Sequence, residues 1–410
     1  MKIILKIRHV FSRAWMVFII IFCISEKCGM AASQWTDAKP MNKSRAGLAA
    51  VVLDEKIYAL GGWNNPGGGG TCLNTVETYM PDSWTSLTDQ ILPGFCSKNN
   101  CGHYGSAAVA AHGKIYVLGG KSLVSSPYGY PYSDVQEYDP NRGTWVMKAS
   151  MPLPRAEHAA VLLNGKIYVM GGYVGAGGVT KQVHIYDPSN NTWTVGTPML
   201  NPRSQFGAAV INGKIYVMGG LMTTNTGSSI NAVEEYDPSN GTWVSKTPML
   251  IQRNDFATAV LDGKIYVMGG MGGYVFSDTV DEYDPSQDFL GGTPWTRKDT
   301  MTLSNTRNDF SAVTLKGKIH LLGGKFKGQN LSLATHEIYG ESNTDIGFRM
   351  KDSTGVVRIA CQLSTAVTSP LRVARNGKIY GIALVDPSDP SATPLRVKTS
   401  SGIKAVAKLD

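Results

Sequence analysis

Residues 203–220 read Arg203-Ser204-Gln205-Phe206-Gly207-Ala208-Ala209-Val210-Ile211-Asn212-Gly213-Lys214-Ile215-Tyr216-Val217-Met218-Gly219-Gly220. Lys-Ile-Tyr, two further residues and a Gly pair recur at 56–62, 114–120, 166–172 and 264–270. A sixth copy reads Lys318-Ile319-His320-Leu321-Leu322-Gly323-Gly324. Sixteen residues before the first Gly of each pair stand Arg45, His103, Arg155, Arg203, Arg253 and Arg307. Downstream come Glu77/Tyr79, Glu137/Tyr138, Tyr186, Glu235/Tyr236, Glu282/Tyr283 and Glu337/Tyr339, followed by Trp84, Trp145, Trp193, Trp243 and Trp295. Each unit reads as four short strands: a small apolar one (such as Ala209 to Ile211), the Ile-Tyr strand, the Glu-Tyr strand and the Trp strand. A four-stranded sheet cannot bury both faces alone, so radial repetition is the stable solution.

The sixth unit has no Trp strand after Tyr339. Trp35 precedes Arg45 by ten residues, the spacing of Trp145 to Arg155, Trp193 to Arg203 and Trp243 to Arg253. Trp35 is therefore expected to complete the last blade and close the ring. This pattern resembles the kelch repeat over residues 32–340. The resemblance implies an all-β fold: a six-bladed kelch-type β-propeller closed by an N-terminal strand.

The chain has 410 residues, 46 of them Gly, and only 17% are charged, against about 25% in average proteins. The net charge of +8 lies at the two ends: residues 1–31 carry +4 and residues 341–410 carry +4, so the segment between is neutral by difference. No basic stripe runs through it, which argues against nucleic acid as a partner. Residues 1–31 read as a signal peptide: basic residues, an apolar run from Ala14 to Ile24, and Gly29-Met30-Ala31 as a cleavage site. Such a run spans ~16 Å as a helix, short of the ~30 Å hydrocarbon core. The mature chain is thus expected to be secreted, periplasmic or cell-surface, with no transmembrane segment. Whether the signal is cleaved or kept as an anchor stays open.

In an oxidising compartment cysteines pair. Cys96 and Cys101 lie in an insertion between Trp84 and His103, and Cys72 in a long first-blade loop on the same face. Cys96–Cys101 is the local choice of disulfide, and Cys72 with either partner is its rival.

Residues 341–410 repeat at a different period. Phe348-Arg349-Met350, Leu371-Arg372-Val373 and Leu395-Arg396-Val397 each precede a turn and a second apolar strand. They read as a C-terminal module of three β-hairpins, suited to attachment, homo-oligomerisation or a cell-surface assembly partner.

Seven His residues are scattered with no zinc or copper spacing, and no nucleophile elbow or phosphate loop is present. No catalytic residue, metal or cofactor is expected. In an up-and-down blade, the loop entering the first strand and the loop leaving the second emerge on one face. That face collects Arg155, Arg203, Arg253 and Arg307, the residues after them (Glu157, Gln205, Asn254, Asp255, Asn308 and Asp309), and Trp63 and Tyr173 after the Gly pairs. In kelch adaptors the matching positions line a basic peptide pocket. Here carboxylates and amides replace that chemistry and suit sugar hydroxyls, a cationic peptide or a bound cation. The first expectation is an exported, non-catalytic binding protein whose propeller face engages a glycan or protein. One alternative is a carbohydrate-active enzyme of the sialic-acid mutarotase type, with Glu157, Asp255 and Asp309 moving protons. Another is a structural subunit of an extracellular assembly. Sequons at Asn42, Asn190, Asn240 and Asn330 matter only where exported chains are glycosylated.

Overall fold

The computed structural model describes residues 35–65, 70–80, 83–87, 103–122, 129–224, 228–289, 291–301, 303, 306–326 and 331–340, and tail strands between 345 and 405. The proposed signal peptide, Cys96, Cys101 and Asn330 lie outside the described residues. Contacts divide the chain into a unit of Ser33–Glu341 and a second containing Ser342–Asp410.

The first unit is a six-bladed propeller of four-stranded antiparallel sheets. The fourth blade shows the plan. From axis to rim its strands are Gly207–Ile211, Lys214–Met218, Val233–Asp237 and Thr242–Lys246. The innermost strand carries small residues because six of them converge on the axis, around a cavity of about 300 Å3 lined by residues such as Val51, Ala209, Ala259 and Val313. The second strand is apolar almost throughout (Ile215, Val217 and Met218 are wholly buried), since both of its faces meet neighbouring blades. Six apolar clusters fill the six gaps between blades.

The Arg and Gly spacing has a direct cause. The Arg203 guanidinium, wholly buried, donates from Nη1 to the carbonyl of Gly219 at 2.9 Å and from Nη2 to the Glu234 carboxylate. Its own backbone carbonyl accepts the N–H of Gly172, the second Gly of the preceding blade, at 2.8 Å. This link repeats around the ring: Gly62 to His103, Gly120 to Arg155, Gly220 to Arg253, Gly270 to Arg307 and Gly324 back to Arg45. Gly219 sits at φ 63°, and a Cβ there would lie 2.7 Å from the Arg253 carbonyl oxygen, so only Gly fits. The second blade makes the same link without charge: His103 Nδ1 lies 2.9 Å from the Gly119 carbonyl and its Nε2 3.3 Å from Gln136 Nε2.

The ring closes as the spacing of Trp35 implies. Thr36–Asp37 pairs antiparallel with His336–Tyr339 as the outermost strand of the sixth blade. Trp35 donates its indole N–H to Met301 O at 2.8 Å, as Trp193 does to Ala149 O and Trp243 to Thr197 O at 2.9 Å. The seam between the sixth and first blades is also where His320 and His336 meet, Nδ1 to Nε2 at 2.8 Å, beneath Tyr79 and Trp84. His320 thus keeps a strand position, as its replacement of the repeat Tyr suggests.

The tail unit contains three hairpins: Asp345–Asp352 with Gly355–Gln362, Leu371–Arg375 with Lys378–Ile382, and Arg396–Thr399 with Gly402–Ala405. The second and third share one sheet through Ile382 and Val397. Among the described residues no helix is long and apolar enough to cross a membrane.

Removing residues 32–40 strips the outermost strand from the sixth blade and exposes the seam. The expected result is a fall in melting temperature of about 5 °C or more by calorimetry; unchanged melting would contradict closure by this strand. Acid should act on the same core. Burial pushes His158 and His336 down to about 3 and His184 and His320 to about 4. In the unfolded chain they titrate near 6.5. The unfolded state therefore takes up protons first, and stability present above pH ~6.5 is lost as pH falls toward 4. The urea midpoint should drop between pH 7 and pH 5, and a midpoint flat over that range would contradict neutral buried imidazoles.

Candidate functional site

At the end of the axis where the innermost strands begin, the residue two after each repeat Arg or His turns inward with positive φ. These six residues join in a closed ring of backbone hydrogen bonds. Gly105 donates to Gly47, Glu157 to Gly105, Gln205 to Glu157, Asp255 to Gln205, Asp309 to Asp255 and Gly47 to Asp309, at 2.7 to 3.2 Å. The clamp two residues earlier fixes where each member starts, so the ring is a consequence of the repeat. Its four side chains, Glu157, Gln205, Asp255 and Asp309, are held together as the sequence suggests, half-buried around the axis.

The two glycines in the ring leave room for a bridge. A Cβ on Gly47 would collide with the Tyr104 ring, so Gly there lets Tyr104 lean inward and donate its hydroxyl to Asp309 Oδ2 at 2.9 Å. Two lysines from the positions after the Gly pairs complete the lining. Lys121 Nζ reaches Glu157 Oε1 at 2.5 Å, and Lys325 Nζ reaches Asp309 Oδ2 at 2.7 Å. Both ammonium groups also lie over aromatic rings: Lys121 at 5.4 Å from Tyr104 and 5.5 Å from Tyr173, Lys325 at 5.0 Å from Trp63 and 5.4 Å from Tyr104. Such contacts favour a desolvated cation.

The carboxyl groups of Asp255 and Asp309 are therefore pushed in opposite directions. Asp255 is pushed well above the usual carboxylate range, by burial first and then by the charges of Asp309 and Glu157. Among the described residues its carboxyl receives one side-chain bond, from Asn254 Nδ2 at 3.3 Å. Burial works in the same direction on Asp309, but Lys325 and the Tyr104 hydroxyl outweigh it and hold that group below its ordinary value. Lys325 is raised in turn: burial opposes its charge, and Asp309 more than compensates. Two ion pairs are thus internally balanced. The Gln205 side chain, whose Oε1 accepts from Asn254 Nδ2 at 3.0 Å, and the Asp255 carboxyl have no lysine partner among the described residues.

The structure corrects the expected face in two places. Arg155, Arg203, Arg253 and Arg307 are wholly buried and spent on Gly carbonyls or on the third strand, so they do not line the face. Spacing places them in the right loop but does not give the direction of a long side chain. Asn254 and Asn308 are buried as well; Asn254 is fixed by Ser229 and by Gln205 Oε1. Trp63 and Tyr173 do sit on the rim, partly covered by the lysines. Cys72 is buried opposite Trp63. Of the residues after the Gly pairs the sequence reading singles out Trp63 and Tyr173, and it gives Lys121, Lys325 and Tyr104 no role. The signal for them was the presence of two cations, one on each flank of the carboxylate run. Among the described residues no three His, Cys, Asp or Glu side chains converge on a metal-sized site.

Residues 29–280 match the family model described as the Attractin/LZTR1 beta-propeller. Over 143 residues the chain is 34% identical to alpha-scruin of Limulus polyphemus, a stretch that covers 34% of this chain and 14% of that protein. It is 32% identical over 145 residues to Kelch-like protein 26 of Danio rerio, covering 34% of this chain and 21% of the relative. The solved structure of YjhT superimposes with a TM-score of 0.58 at 15% identity, covering 78% of this chain and 99% of that one, a likeness of fold. Repeat, six-bladed ring and family match agree: the chain belongs to the Attractin/LZTR1 family of kelch-repeat β-propellers.

Proposed function

We propose that this chain is an exported binding protein whose propeller face engages a glycan or a protein through the axial ring, while the hairpin tail attaches or assembles it. The observation that carries this reading is the balance of charge in the ring. Lys121 with Glu157 and Lys325 with Asp309 leave no strong net field at the axis. The groups without a lysine partner, the Gln205 side-chain N–H donors and the Asp255 carboxyl, which burial and the neighbouring carboxylates push toward its neutral form, are set in the backbone ring. Such a pair suits sugar hydroxyls or peptide amides and disfavours a strongly charged ligand, whose desolvation nothing here would offset.

A catalytic reading has one observation in its favour. Asp255 and Asp309 are neighbours whose carboxyl groups are pushed in opposite directions from the ordinary value, the kind of arrangement by which one site can supply both an acid and a base. Sugar-ring proton transfers of the mutarotase type need no more than that.

The test is a glycan and peptide array probed with the full chain, beside Gln205→Ala/Asp255→Asn checked for unchanged melting. A hit that the variant loses by tenfold or more (about 1.4 kcal/mol) supports the ring as the site. Hits indifferent to the variant, or none at all, would overturn it. Turnover of a bound sugar that Asp255→Asn abolishes while binding persists would replace the binding reading with the catalytic one.

A further inference from the structure

We propose that Asn190 and Asn240 are N-glycosylation sites, an inference that rests on the export reading and not on the ring. Both belong to Asn-Xaa-Thr triplets (Asn190-Asn191-Thr192 and Asn240-Gly241-Thr242) and sit at the same place in the third and fourth blades. That place is the turn between third and fourth strands, after Val183–Asp187 and Val233–Asp237. Both asparagines and both threonines are exposed.

The local geometry prepares the acceptor. Thr192 Oγ1 donates to Asn190 Oδ1 at 2.5 Å; Thr242 donates to Asn240 Oδ1 from both Oγ1 at 2.7 Å and N at 3.0 Å. The carboxamide oxygen is therefore occupied, while neither Nδ2 carries a hydrogen bond among the described residues. The turns are firm as well as exposed. Asp187 and Asp237 each cap the start of their own turn through Ser189 and Ser239, and Thr197 holds the Gly241 carbonyl from the neighbouring blade.

The other sequons differ. At Asn42 the amide nitrogen is already directed at Trp84 O and Ser86 Oγ, at 3.4 and 3.3 Å, and the backbone N–H is held by Glu77 at 2.6 Å. Asn330 lies outside the described residues. The equivalent turn of the second blade, Arg142-Gly143-Thr144, keeps the hydroxyl and has Arg where the asparagine belongs.

In the transfer, Nδ2 attacks the anomeric carbon of a glycosyl diphosphate donor and a C–N bond forms. The C–O bond to diphosphate breaks, the diphosphate leaves with the electron pair, and a base of the transferase takes the amide proton. Three strand reversals place these turns at the opposite end of the blades from the ring. Glycans there would shield one face of the propeller and leave the ring face as the open one.

The test is expression of the full chain in a eukaryotic secretory host, alongside a version in which residues 1–31 are replaced by a host signal. Mobility is read before and after an N-glycan amidase, and the resulting Asn-to-Asp conversions are mapped by peptide mass. Two amidase-sensitive steps are expected, one lost in Asn190→Gln, one in Asn240→Gln and both in the double variant. Thr192→Ala and Thr242→Ala, which keep the asparagines, should lose the same steps. A secreted host-signal chain with no amidase-sensitive step, or with conversion at Asn42 and none at Asn190 and Asn240, would overturn the proposal. If only the host-signal chain is modified, the acceptors stand and the reading of residues 1–31 falls.

Discussion

The structure depends on one buried contact repeated around a circle. In four blades a guanidinium (Arg45, Arg155, Arg203 or Arg253) grips the carbonyl of the first repeat Gly, His103 does so in the second, and in all six the backbone carbonyl of the Arg or His accepts the N–H of the second Gly in the blade before. A buried cation is costly unless it is paired and hydrogen-bonded. Here it is met by carbonyls and, in four blades, by a carboxylate from the third strand: Glu77, Glu234, Asp281 or Glu337. Burial depresses Arg155 to about 10, where its partner is His184 rather than a carboxylate. The contact thus fixes the loop within a blade and the spacing between blades at once, and the axial ring forms two residues downstream because its starting points are already fixed.

Much of this was legible in the sequence. The Gly pairs, the Arg spacing and the displaced Trp35 establish six blades and the strand that closes them, because each is a local requirement repeated in phase. The carboxylate partner of each Arg was less legible. The repeated Glu-Tyr pair draws attention to Glu235 and Glu282, yet these face Lys214 and Tyr216, and Lys264 and Tyr266; the residues one earlier, Glu234 and Asp281, meet the arginines. A strand alternates its faces, so an offset of one residue moves a side chain from pairing with the Lys and Tyr of the second strand to the clamp. In the second blade the clamp survives as His103 with Gln136, a joint change that reads as two unrelated substitutions until the pair is seen in contact.

The site was legible in position and not in chemistry. Loop order brings Glu157, Gln205, Asp255 and Asp309 to one end of the axis, but only coordinates show that Lys121 and Lys325 neutralise two of the carboxylates and that Tyr104 crosses over Gly47. Those contacts turn an acidic rim into a balanced one and, among the ligands its residues suggest, favour sugar hydroxyls or peptide amides over a cation. The fold positions the ring; what reaches it depends on Gln205, Asp255 and the loops around them.

The second blade offers the most direct test of the clamp. His103→Arg, Gln136→Glu and the double variant should be compared by urea unfolding. Each single change buries a charge without its partner and should cost about 3 kcal/mol or more. The double change recreates the pair that other blades use and should return most of that loss. A double variant as unstable as the sum of the two singles would contradict the account.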